Sequence, residues 1–110
     1  MTPADVLVLW FDAHARGDLE AARGLVVDDV EIVVPGARLH GFDSFMQWYR
    51  DRQLHEGASF GYSVEDLLGG EHHAAAVIRL SVEDRTWRQV ALFRVEGDRI
   101  ASMWAVEDAP

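Results

Sequence analysis

No cysteine occurs in the 110 residues, so a thiol nucleophile, a disulfide framework and cysteine-ligated metal are all excluded. Basic residues are few: Lys and Arg number 10 against 19 Asp and Glu, a formal net charge of −9. The charges are scattered rather than blocked, and phosphate binding needs a concentrated basic surface. Nucleic acid and anionic membrane are therefore not expected as partners. No apolar run approaches ~18 residues and no basic-apolar-small segment opens the chain, so a soluble cytoplasmic protein is expected. Internal repeats, linkers and low-complexity tracts are missing, as are a metal-ligand spacing, a phosphate loop and a nucleophile elbow. The adjacent pair His72-His73 is a poor bidentate metal site, because neighbours on a strand point to opposite faces. Chemistry without metal or cofactor is expected.

What is present is apolar and patterned. With 49% hydrophobic and 10% aromatic residues, the chain can bury one core, and residues 1–110 read as a single domain. Arg85 to Glu107 carries two runs of period two joined by Glu96-Gly97-Asp98, which predicts a long antiparallel hairpin. Trp87, Gln89, Ala91, Phe93 and Val95 share one face of the first run, with Ala101, Met103, Ala105 and Glu107 on one face of the second. The opposite faces hold Val90 and Leu92, between Arg88 and Arg94, and Trp104 and Val106. A hairpin apolar on both sides must be covered twice, by the domain's own helices and by a second subunit. A homodimer through Val90, Leu92, Trp104 and Val106 is expected.

Earlier in the chain the period is helical. Thr2 reads as an N-cap with Pro3 in the first turn, followed by Val6, Leu7, Trp10, Phe11, His14 and Ala15 at helical spacing. Gly17 ends this helix and Asp18 caps a short second one. Asp28-Asp29 reads as a turn, Val30 to Val34 as a strand stopped by Pro35-Gly36, and the stretch to Gly41 as a loop. Asp43 is expected to cap a third helix in which Phe45, Trp48, Tyr49 and Arg52 recur, fading near Gly57; from Ser59 onward the pattern alternates. Helices early and strands late indicate an α+β domain with a mainly antiparallel, strongly curved sheet wrapped around three N-terminal helices.

The run Ala13 to Ala21, with Gly17-Asp18 at its centre, resembles the junction between the first two helices of the nuclear transport factor 2-like superfamily. Asp28-Asp29-Val30, Pro35-Gly36, Leu39-His40-Gly41 and the ending Phe93 to Ile100 through Ser102-Met103-Trp104 are similar to the same superfamily, in the same order. The resemblance is to its SnoaL-like members, related to polyketide cyclases and ketosteroid isomerases. It implies a cone-shaped barrel with a pocket between helices and sheet, usually dimeric, and no single chemistry. The isomerase acids and tyrosine are replaced by Val34, Ala91 and Trp10, and the Arg-x-Asp of the epoxide hydrolases by Gln89-Val90-Ala91. Neither chemistry is expected, since valine and alanine cannot move a proton and indole only donates. Glu107 meets the cyclase pattern loosely, in place of a deeper acid.

The remaining candidates for catalysis are His14, Tyr49 and Glu107. His14 lies one turn after Trp10 on the apolar stripe, at a position that the resemblance places on the pocket wall, and is expected to be buried there with a polar partner. Tyr49 stands where the isomerases carry a tyrosine of their oxyanion network. Glu107 has the parity of Met103 and Ala105 and is expected at the pocket mouth. Trp10, Val34, His40, Trp48, Gln89, Ala91, Phe93, Met103 and Ala105 are the expected ligand-binding residues. Together they suggest a cofactor-independent cyclase, isomerase or dehydratase acting on an apolar carbonyl-bearing metabolite by general acid-base catalysis. The alternative is a non-catalytic ligand-binding or dimerising module with the same fold.

Overall fold

The computed structural model describes residues 1–56 and 60–108. Helix α1 (Pro3–Ala15) starts on a capping box: the Asp5 amide donates to Thr2 Oγ1 at 3.2 Å and the Thr2 amide returns a bond to Asp5 Oδ2 at 3.0 Å. Gly17, at φ +69°, turns the chain into α2 (Leu19–Arg23), whose cap Asp18 accepts from the Ala21 amide at 3.1 Å. Strands β1 (Val26–Val34) and β2 (Ala37–His40), helix α3 (Phe42–Glu56), and strands β3 (Gly61–Gly69), β4 (His73–Val82), β5 (Arg85–Glu96) and β6 (Arg99–Asp108) complete the order.

Three expectations change here. Asp28 and Asp29 lie inside β1, where the pairing with β6 shifts register between Val26 and Glu31; both carboxylates stay in water and the bulge absorbs them. The supposed loop before Gly41 is β2, paired antiparallel with β1 from Ala37 to His40. Helix α3 begins at Phe42, so Asp43 sits in its first turn rather than capping it, and there it takes an ion pair from Arg23 at 2.5 Å. The helix expected to fade near His55-Glu56-Gly57 runs to Glu56; Gly57 and the expected onset of alternation at Ser59 lie outside the described residues.

The six strands form one curved sheet in the order β2-β1-β6-β5-β4-β3, antiparallel except for β1 beside β6. The sheet does not close on itself. The predicted hairpin is its centre: β5 and β6 pair from Arg88 opposite Asp108 to Glu96 opposite Arg99, around a turn in which Gly97 and Asp98 both take positive φ. Phe93, Ala91, Ile100 and Ala105 point inward and are buried with Val6 and Leu7 of α1 and Val30 of β1. The other face leaves Val90, Leu92, Trp104 and Val106 exposed, Trp104 by 53%. Register sets Leu92 opposite Trp104 and Val90 opposite Val106, so the four form one contiguous stripe. Among the described residues no helix is long and apolar enough to cross a membrane.

Helix α1 lies close against the end of β3. A Cβ placed on Gly69 would stand 2.9 Å from the Cβ of Ala4, an atom fixed to the helix backbone that cannot rotate away. Gly69→Ala is therefore expected to destabilise by roughly 1–2 kcal/mol, the overpacking cost exceeding the gain from a stiffer unfolded chain. Ala4→Gly should recover much of that loss in a double-mutant cycle followed by urea unfolding. Strict additivity of the two changes would show that this contact does not limit the packing.

Candidate active site

Between α1, α3 and the concave face of the sheet lies an inner chamber of ≈ 70 Å³. Helical spacing places Trp10, Phe11 and His14 of α1 and Phe45, Trp48, Tyr49 and Arg52 of α3 on its wall; Gln89, Ala91, Phe93 and Met103 supply the sheet side. A wider, more open cleft of ≈ 560 Å³ abuts it and shares Phe11, His14, Tyr49, Phe60 and Tyr62 as walls. Asp12, Gln53 and Ser63 give that outer cleft a polar rim. A ligand entering from the cleft would meet His14 and Tyr49 at the boundary.

His14 is set among rings. Trp10 meets it edge-on at 4.2 Å between centroids, with Phe45 at 6.1 Å and Tyr49 at 6.3 Å. Its Nε2 is buried and has no hydrogen-bond partner among the described residues, contrary to the expected polar partner. Burial alone drives its pKa from 6.5 down to about 4, because an apolar surround disfavours the imidazolium. The imidazole is neutral near pH 7. Burial acts on Tyr49 in the opposite sense, raising its phenol to about 12, with Tyr62 adding to the rise and Arg52 opposing it. Tyr49 therefore keeps its proton as a hydrogen-bond donor.

Glu107 is placed differently from expectation. It does not line the chamber: β6 carries it opposite Gln89, where Arg52 grips both its oxygens at 2.5 and 3.0 Å. Gln89 Nε2 donates to Oε1 at 2.9 Å and Trp87 Nε1 to Oε2 at 3.3 Å. Each oxygen thus receives two donors, which uses a carboxylate's accepting capacity. With the two side chains only 16% and 7% exposed, the partly buried pair joins α3 to β5 and β6. Trp10, Val34, Trp48, Gln89, Ala91, Phe93 and Met103 line the chamber. Ala105 is buried in the core beside it, and His40 is exposed on β2 beside a separate surface hollow.

Sequence reasoning passed over Arg52, although the signal was there: a cation one turn after Trp48 on an apolar helical stripe. Phe11, Phe45, Phe60, Tyr62, Ile78 and Leu80 are further wall residues it did not select. Among the described residues no three His, Asp or Glu side chains converge as a metal ion would require.

A family model of the SnoaL-like domain matches residues 7–103. No curated protein matches the sequence. Solved structures superpose over nearly the whole chain at low identity. An NTF2-like protein from Burkholderia thailandensis E264 aligns with TM-score 0.86 and 17% identity over 98% of this chain and 92% of its own. A candidate ketosteroid isomerase from Kribbella flavida DSM 17836 aligns at 0.84 and 16%, over 98% and 78%. A candidate polyketide cyclase from Sinorhizobium meliloti aligns at 0.80 and 19%, over 93% and 94%. At such identities the likeness is one of fold.

The depressed His14 pKa has a signed consequence for stability. Between pH 6.5 and about 4 the unfolded chain takes up a proton that the folded His14 refuses. The contribution is complete above pH 6.5 and is lost as pH falls through that window, at ~1.4 kcal/mol per pH unit where the slope is full. Unfolding free energies of the wild type should fall between pH 7 and pH 5 by about 2 kcal/mol more than those of His14→Leu. An equal acid loss in both proteins would show that His14 is not desolvated.

Proposed function

From a chain that belongs to the SnoaL-like domain family, we propose a cofactor-independent enzyme of the cyclase, isomerase or dehydratase type that acts on an apolar carbonyl-bearing metabolite. The observation that carries this reading is a neutral His14 on the wall shared by chamber and cleft, its buried Nε2 without a partner among the described residues, beside a Tyr49 that keeps its proton. A ligand carbonyl accepts a hydrogen bond from the Tyr49 hydroxyl. Neutral His14 takes a proton from the adjacent carbon, and the electrons of that C–H bond become the C=C of an enolate whose oxygen Tyr49 stabilises. The charges arise together: imidazolium and enolate leave the chamber neutral overall, and the enolate raises the basicity of His14 as it forms. Return of the proton from His14 to another carbon gives isomerisation; attack of the enolate carbon on a second carbonyl, with that proton passing to the new alkoxide, gives ring closure; and loss of a β-hydroxyl as water, protonated by His14, gives dehydration.

A second reading, a non-catalytic ligand-binding or dimerising module with the same fold, is favoured in its dimerising form by the size of the chamber. Its ≈ 70 Å³ falls well below the ~300–1,000 Å³ usual for ligand pockets. Deuterium exchange separates the two. In D2O the protein should speed α-deuteration of an aryl methyl ketone, followed by proton NMR. His14→Ala and Tyr49→Phe should each slow the exchange by about 10²-fold. A wild type no faster than buffer would leave only the non-catalytic reading.

The assembly belongs to the same proposal. Val90, Leu92, Trp104 and Val106 cover another copy of themselves across a two-fold axis, since a sheet face this apolar is unfavourable in water. Trp104→Glu should shift the protein toward monomer and lower its stability, as read by light scattering and thermal unfolding. A wild type monomeric at micromolar concentration would contradict the dimer.

A further inference from the structure

We propose that Arg52 anchors a ligand oxygen in the chamber and that Glu107, by neutralising Arg52, makes the site select a neutral carbonyl over a carboxylate. This rests on the chamber's being a ligand site and does not require that it be catalytic. Arg52 is the one formally charged side chain among the described residues that line the chamber. Its guanidinium is fixed rather than mobile: Glu107 holds Nη1 and Nη2, and the rings of Trp48 and Phe60 lie 5.5 and 5.7 Å from its Cζ. Among the described residues no other partner takes the remaining guanidinium N–H groups, and a rigid donor on an apolar wall is what orients a ligand.

The pairing decides what kind of oxygen can use those donors. A carbonyl oxygen accepts from Arg52 without adding net charge to a wall otherwise built of Trp10, Phe45, Phe93, Met103 and their neighbours. A carboxylate would bring a second negative charge to a cation already neutralised, and would give up its hydration in a cavity with few groups to replace it. The chain's net charge of −9 opposes the approach of an anion as well. Gln89 and Trp87 brace Glu107 from the sheet side, so the carboxylate cannot swing away to yield its place. Glu107 thereby acts through Arg52 as a positioning residue, and the chemistry selected is an apolar ring bearing an uncharged carbonyl.

Acetophenone and benzoate, nearly equal in shape and different in charge at pH 7, serve as probes in chemical-shift titrations of the protein. Wild type should bind acetophenone at least tenfold more tightly than benzoate. Glu107→Gln keeps the size of the side chain and removes its charge, so Arg52 becomes an unpaired cation and benzoate should gain at least tenfold. A residue that only supports the fold would not reverse a preference between ligands. Arg52→Gln combined with Glu107→Gln leaves no buried charge to upset folding. It should lose at least tenfold for acetophenone and gain nothing for benzoate. Benzoate binding as tightly as acetophenone to wild type, no benzoate gain in Glu107→Gln, or neither probe moving the chamber resonances would each overturn the proposal. Since binding is read without turnover, a chamber that discriminates in this way but exchanges no deuterium would refute the catalytic reading alone.

Discussion

The ion pair between Arg52 and Glu107 fixes the geometry on which the chamber depends. Helix α3 supplies one wall of the chamber, and Glu107 ties it to the β5-β6 hairpin at the heart of the sheet. A partly buried pair of this kind is rarely a net source of stability, because both charges give up much of their hydration. Its value here is positional. Four donors converge on one carboxylate, two from Arg52 and one each from Gln89 and Trp87, so a residue of α3 and two of β5 are registered on one point of β6. With that point set, Trp48 and Tyr49, on the same helical stripe as Arg52, face the cavity.

The same low-polarity wall governs the groups that stay unpaired. Glu107 is held by four donors, whereas burial keeps His14 neutral and leaves Tyr49 with its proton. A basic nitrogen and an acidic hydroxyl, both uncharged, share the boundary between chamber and cleft. Displacing two titratable groups in opposite directions from their usual values is a familiar way of assigning base and acid within one pocket. In the reaction proposed above the proton acceptor is His14 of α1, so that reading asks for no carboxylate at Val34 or Ala91.

Much of this was legible in the sequence where periodicity carries the information. The hairpin, its two apolar faces, the capping box at Thr2 and the Gly17-Asp18 junction all follow from local chemistry, and Trp10 with His14 falls on one helical stripe. What could not be read locally was pairing. Asp28-Asp29 looks like a turn until β6 arrives beside it, and Ala37 to His40 becomes a strand only because β1 offers an edge. The fate of Glu107 depends on Arg52, 55 positions away. Its parity indicated the concave side correctly, but no spacing rule shows that a carboxylate has been consumed by four donors. For His14 the reverse holds: burial followed from the apolar stripe, while the missing partner is a property of the assembled cavity.

The proposed reaction requires a neutral His14 imidazole on the chamber wall that senses a ligand. Nitrogen-15 NMR of the histidine rings tests it directly, because ring-nitrogen shifts distinguish neutral from protonated imidazole. The account predicts a neutral His14 at pH 7 whose nitrogen shifts move when acetophenone is added. An imidazolium at pH 7, or ring shifts that ignore the ketone, would contradict it.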